Sequence, residues 1–178
     1  MTPLLSVEHL SISFTQYDRG THRRILPAIR DLDLTIDRGQ VAAVVGSSGS
    51  GKSLLAHGIL GILPYNAHME GTITYDGAPL TQKRAAALRG REIVLVPQSV
   101  GYLDPLMKVG PQVGRDKKAV RSVLDRYGLG PETEGLYPFQ LSGGMARRVL
   151  ISTAVAASPA LGIADEPTPG LDVRAAGR

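Results

Sequence analysis

The sequence predicts an α/β fold with a parallel sheet at its centre, and three observations carry that expectation. Residues 41–45 (Val-Ala-Ala-Val-Val) form an aliphatic run without alternation that leads straight into a glycine-rich loop and then a helical segment. Residues 93–96 (Ile-Val-Leu-Val) form another aliphatic run, stopped by Pro97, and residues 161–164 (Leu-Gly-Ile-Ala) form a last one ending on Asp165 and Glu166. Runs of this kind suit strands covered on both faces, the usual state of a parallel sheet. With 178 residues, 43% hydrophobic and 20% charged, the chain has the make-up of one globular domain, or a domain with a small subdomain.

The elements follow in order. Val7, Leu10, Ile12 and Phe14 alternate with polar residues and predict a half-buried strand over 7–14. The polar, glycine-containing stretch 17–24 is a loop, and Leu32, Leu34 and Ile36 alternate as a second strand. Asp37-Arg38-Gly39 is a turn, residues 41–45 a buried strand, and residues 53–60 a helix ended near Gly61 and Pro64. A short strand at 71–77 closes in a glycine turn, and the 93–96 strand follows. Residues 116–127 read as a helix with Val120, Val123, Leu124 and Tyr127 on one face, and a second helix is expected over 143–157.

Composition excludes several classes. There is no cysteine, so neither a disulfide framework nor a thiolate metal site can form. Residues 1–3 lead into no basic-then-apolar signal. The apolar stretch 149–164 is interrupted by Ser152, Thr153, Ser158 and Pro159, which argues against a membrane span, and a cytoplasmic location is expected. The net charge of +4 comes from scattered residues (Arg23-Arg24, Lys83-Arg84, Lys117-Lys118, Arg147-Arg148) and reads as solvated surface, with no nucleic-acid partner expected.

The chemistry begins at Gly46-Ser47-Ser48-Gly49-Ser50-Gly51-Lys52-Ser53, which fits G-x-x-x-x-G-K-[ST] with a strand before it and a helix after. Glycines permit backbone dihedrals that turn consecutive N–H groups inward around phosphate oxygens. Lys52 is placed to reach the β- and γ-phosphates, the Ser53 hydroxyl to ligate Mg²⁺, and the following helix adds its N-terminal dipole. A nucleoside triphosphate ligand is expected. At the end of the 161–164 strand, Asp165 is placed to hold Mg²⁺ and Glu166 to polarise an attacking water as general base.

Leu141-Ser142-Gly143-Gly144-Met145, taken with the phosphate loop and Asp165-Glu166, resembles the signature motif of the ATP-binding cassette (ABC) ATPases. Ser142 and the Gly143 and Gly144 amides at a helix start make a second anion site. The resemblance implies that this site caps the γ-phosphate held by a second subunit, so that ATP is sandwiched between two cassettes. It also implies a phosphate-loop NTPase fold: a RecA-like parallel core with an antiparallel β subdomain over 1–97, a helical signature subdomain over 98–157, and the acidic strand with its following loop over 158–178. By the same resemblance Gln98 contacts Mg²⁺ and the attacking water and senses a membrane partner, and Asp172 lies near the dimer seam. Phe14 stands where the family places an adenine-stacking aromatic, with Tyr17 as the other candidate.

Finer resemblance, over Leu60-Gly61-Ile62-Leu63-Pro64, Leu88-Arg89-Gly90, Leu136-Tyr137-Pro138-Phe139, Met145 and 163–168, points to the oligopeptide, dipeptide and nickel importers. It implies an ATPase subunit at the inner face of the cell membrane, bound to membrane-spanning permease subunits and to a like or paralogous cassette. A nucleotide-binding module with little turnover, or a soluble non-transport ABC ATPase, are the alternatives. The chain departs from the family at its end. ABC cassettes continue past the Asp172 loop through a strand ending in a histidine at the γ-phosphate, whereas His9, His22, His57 and His68 all precede the signature motif. The resemblance places that strand between the phosphate-loop strand and the strand ending at Asp165-Glu166, where one strand of about five residues would contribute on the order of 10 kcal/mol, against about 5–15 kcal/mol for a whole domain. The expectation is therefore that residues 1–178 alone fold poorly and hydrolyse ATP slowly.

Overall fold

The computed structural model describes residues 2–17, 23–47 and 49–165. The chain divides into two units, residues 1–89 and 90–178. In the first, strand β1 (Leu5–Tyr17) lies at the centre of an antiparallel sheet, flanked by β2 (Arg23–Ile36) and β3 (Ala67–Tyr75), with the two-residue β4 (Ala78–Pro79) at the edge. β2 runs well beyond the expected 32–36 because β1 pairs with it from Leu5↔Ile36 to Tyr17↔Arg23.

The alternation of β1 contains a slip, since Val7 and Leu10 are an odd number of residues apart and would face opposite sides of a regular strand. A bulge restores the phase. Between Val7 and Leu10, β1 carries one residue more than β2, and the same excess appears against β3 between Glu8 and Ser11. His9 takes φ 50° there, and Leu5, Val7, Leu10 and Ile12 are all buried. Side chains hold the irregular backbone: His9 N–H donates to Asp33 Oδ1 (2.7 Å) and Asp31 N–H to Ser11 Oγ (3.0 Å). Gly71 (φ 99°) opposes the bulge, where a Cβ would stand 2.5 Å from the His9 carbonyl oxygen. The β3–β4 turn is Asp76-Gly77 with φ 48° and 73°, the two left-handed residues that a tight hairpin requires.

Helix α1 (Lys52–Leu60) packs Leu55, Ala56, Ile59 and Leu60 inward, and Gly58 lets it approach Ile12 and Met69 of the sheet. Gly61 ends it at φ 64°, with the Ile62 amide bonding back to the His57 carbonyl. Helix α2 (Gln82–Leu88), capped by Thr81, lies beyond the hairpin. One expectation fails here. Residues 41–47 form no strand, and Val41 and Val45 are 95% and 92% exposed. A strand needs a neighbour for its N–H and C=O groups, and among the described residues none pairs with 41–45.

In the second unit, β5 (Ile93–Val96) and β6 (Leu161–Ala164) pair in parallel, Ile93 against Leu161 through Val96 against Ala164. Helices α3 (Val109–Val113), α4 (Lys117–Arg126) and α5 (Gly143–Val155) enclose a core of Leu103, Val109, Val120, Leu124, Val149 and Leu150 among others. Asp116 caps α4 by accepting from the Lys118 and Ala119 amides, and the expected stripe faces the core, with Val120 and Leu124 buried and Val123 and Tyr127 packed at its margin. Among the described residues, no helix is long and apolar enough to cross a membrane.

Candidate nucleotide site

The first unit holds the phosphate loop. Gly49 and Gly51 adopt φ 80° and 94°, the region that side chains disfavour, and the Ser50 amide bonds to the Ser47 carbonyl at 3.2 Å. A Cβ on Gly46 would meet Ser50 Oγ at 2.5 Å, and one on Gly51 would meet Ile29 Cγ1 at 3.0 Å and the Ala28 carbonyl oxygen at 3.1 Å. The loop is therefore seated on β2 through a position that accepts only glycine. Lys52 opens α1 and folds over the loop, its Nζ donating to the Gly46 and Ser47 carbonyls at 2.8 Å each. Gly51 at the N-cap offers no side chain to the first-turn amides, so the helix start presents backbone donors beside an ammonium. Ser53 follows in the first turn, and a cleft of about 270 Å³ lined by Ile29, Arg30, Val44, Val45, Ser50 and Lys52 adjoins the loop. Phe14 is half-buried in β1, paired with Leu26 and Ala67, and Tyr17 at the strand end is largely exposed. Ser48 lies outside the described residues.

The second unit holds the other predicted residues. The parallel register brings Gln98 and Asp165 to the same carboxyl end of the β5–β6 pair: Gln98 is two residues past Val96, and Asp165 follows Ala164 and donates its amide to the Val96 carbonyl at 3.0 Å. Open α/β sheets place ligands at this end of their strands. Ser142 is the N-cap of α5, its Oγ accepting from the Met145 amide at 3.3 Å. A Cβ on Gly143 or Gly144 would touch nothing within 4 Å, so the absence of side chains there leaves the amides open to an approaching group. Glu166 and Asp172 lie outside the described residues.

The sequence reading missed the arginines. The scattered charge pattern predicts Arg84, Arg147 and Arg148 on solvated surface, but all three are half-buried and bond backbone carbonyls. Arg84 Nη1 donates to Tyr75 O (2.8 Å), Arg148 Nη1 to Tyr127 O (3.1 Å) and Gly128 O (3.0 Å), and Arg147 Nη1 to Pro97 O (2.7 Å) and Gln98 O (2.9 Å). The usable signal was position: Arg147 and Arg148 sit on a helix whose neighbours Ala146, Val149 and Leu150 face a core.

An antiparallel sheet and a parallel pair combined with a glycine-rich, lysine-bearing loop that opens a helix define the phosphate-loop NTPase fold in its cassette form. A model of the ABC transporter family matches residues 29–169, and the chain belongs to that family. It is similar to the oligopeptide transport ATP-binding protein OppD of Haemophilus influenzae, 36% identical over 97% of this chain and 58% of that protein. It is also similar to the lipoprotein-releasing system ATP-binding protein LolD of Bordetella pertussis, 39% identical over 96% of this chain and 75% of that protein. Among solved structures, the dimeric, post-hydrolysis ATP-binding cassette MJ0796 with ADP and Pi superposes with a TM-score of 0.75 at 26% identity, covering 96% of this chain and 77% of that one. The chain thus spans little more than half the length of the oligopeptide relative.

Proposed function

We propose that this chain is the ATP-binding and ATP-hydrolysing subunit of an ABC importer for peptides, nickel or metal chelates. The placement of Lys52 carries the reading: its ammonium is held by two carbonyls at the uncapped start of α1, where a triphosphate would meet both a cation and converging amides. Gly46, Ser47, Ser48, Gly49, Ser50 and Gly51 supply the cradle, and Phe14 stacks on the adenine. Ser53, Gln98 and Asp165 offer a hydroxyl, an amide oxygen and a carboxylate, the hard-oxygen donors that suit Mg²⁺, an ion that keeps waters and substrate phosphates among its ligands. Glu166 is the general base and Gln98 orients the water.

Ser142, with the Gly143 and Gly144 amides, takes the γ-phosphate bound to a second cassette, and Asp172 lies at that seam. The Ser142 hydroxyl accepts from Met145 in its own helix and keeps its O–H to donate to a phosphate oxygen. ATP then closes the pair and hydrolysis reopens it, driving membrane-spanning permease subunits from the inner face of the membrane. The likeness to the oligopeptide transport protein supports a peptide cargo; the likeness to the lipoprotein-releasing protein supports a wider range for the same module.

Phosphate release and retained nucleotide, measured side by side on the wild type, Lys52→Ala and Glu166→Gln, test the proposal. Lys52→Ala is expected to bind ATP about 100-fold or more weakly, and Glu166→Gln to hold it without release of phosphate. Wild-type phosphate release by Glu166→Gln would remove Glu166 from the mechanism, and undiminished ATP binding by Lys52→Ala would remove the loop. The exposure of residues 41–45, which leaves the loop without a paired strand behind it, favours a second reading in which the chain binds nucleotide with little turnover. Saturable ATP binding without phosphate release in the wild type distinguishes that reading.

A further inference from the structure

We infer that Arg147 is a positioning residue for Gln98, joining the helix that begins at Ser142 to the segment at the carboxyl end of β5. β5 ends at Val96 and is followed by Pro97, which has no N–H and cannot continue a ladder. Consecutive carbonyls of an extended strand alternate in direction, so two successive oxygens reach one nitrogen only where the backbone has turned. Here the Pro97 and Gln98 oxygens converge on Arg147 Nη1 at 2.7 Å and 2.9 Å. That nitrogen carries two hydrogens, one for each carbonyl. On the strand side, the Asp165 amide holds the Val96 carbonyl at 3.0 Å. The direction in which the chain presents Gln98 is therefore set by β6 through Val96 and by α5 through Arg147.

The arginine itself is anchored. It lies in the second turn of α5, five residues after Ser142, between the buried Ala146 and the buried Val149. Pro97 is buried while Gln98 is exposed, so the guanidinium acts where the chain passes from core to surface. A planar, permanently charged fork suits two adjacent carbonyls better than a lysine ammonium, which is a point charge on a more flexible stem. The consequence, which rests on the proposed Mg-ATP reading, is that Arg147 determines how well the Gln98 side chain meets the metal while having no contact with nucleotide itself.

The test uses the full chain and a fluorescent ATP, titrated with Mg²⁺ and with EDTA, for the wild type, Gln98→Ala, Arg147→Ala, Arg147→Lys and the double alanine variant. Gln98→Ala and Arg147→Ala are each expected to lose about tenfold of the Mg²⁺-dependent gain in affinity, the double variant no more than either, and Arg147→Lys less. The EDTA affinity of Arg147→Ala should stay within about twofold of wild type. Losses that multiply in the double variant, or an Arg147→Ala protein with the full Mg²⁺ gain, would overturn the inference. Amide exchange provides a nucleotide-free arm: residues 99–103 should exchange about tenfold faster in Arg147→Ala with α4 unchanged. Unchanged exchange at 99–103, or equal loosening of α4, also overturns it. A wild type that binds no ATP in either condition sinks the nucleotide reading instead, and the exchange arm then decides alone whether Arg147 holds the segment.

Discussion

The two helix starts of this molecule, at Lys52 and at Gly143, look alike in sequence and differ in what they leave for a ligand. Both have serine and glycine at the point where the helix begins, Ser50-Gly51 before Lys52 and Ser142 before Gly143-Gly144. At α5 the cap is internal, because Ser142 Oγ takes the Met145 amide and the helix is fastened to a buried core through Ala146, Val149 and Leu150. At α1 the N-cap is a glycine with φ 94°, which has no capping side chain of its own, and the preceding residues 41–47 lie exposed. One start is capped by the serine that precedes it; the other has a glycine in that place, beside the Lys52 ammonium. Nucleotide should therefore change the α1 start far more than the α5 start.

Substitutions at the two helix starts and in the core behind α5 differ in their expected cost. Lys52→Ala removes a charged donor worth about 3 kcal/mol to phosphate, so ATP affinity by calorimetric titration should fall about 100-fold or more with little change in unfolding midpoint without nucleotide. Leu124→Ala, at the buried face of α4, should cost about 2–3 kcal/mol in denaturant unfolding, a cost ATP does not recover, because the core behind α5 is independent of ligand. Gly51→Ala places a Cβ against Ile29 and the Ala28 carbonyl at a left-handed position and should cost about 2 kcal/mol, with a matching loss of ATP affinity. Ser142→Ala should cost about 1 kcal/mol of α5 stability, read from amide exchange over 143–147.

The smallest effect lies away from both starts. The His9 pKa is raised by its hydrogen bond with Asp31 and by the neighbouring Asp33 carboxylate. A raised value means that the folded state favours the imidazolium. The pairing is thus fully present below the ordinary His value of 6.5 and is lost as pH rises through the folded value. Unfolding midpoints at about pH 5.5 and about pH 8.5 should differ slightly in the wild type, and His9→Gln should abolish that difference.

Much of the second unit was legible because its signals were local or supplied their own partner. Residues 93–96 and 161–164 are strands because each pairs with the other, and α4 announces itself by the Asp116 cap and the Val120–Leu124 spacing. The run 41–45 carries the same apolar signal and no ladder, since sequence pattern records a strand's appetite for burial and not the presence of a neighbour. The β1 bulge was visible only as the odd step from Val7 to Leu10, and its repair by Asp31, Asp33 and Gly71 depends on strands distant in sequence. α2 is short and alanine-rich, with no stripe to read. The glycine turn before α1 was legible from spacing alone, and Gly49 and Gly51 take positive φ there. Arg147 was not, because its partners are carbonyls, which every residue has.

The contrast between the helix starts is tested most directly by amide hydrogen exchange of the chain with and without saturating Mg-ATP. The account predicts that residues 46–55 slow by about tenfold or more while residues 143–155 of the isolated chain change less than about twofold. Equal protection at both helix starts, or none at 46–55, would contradict it.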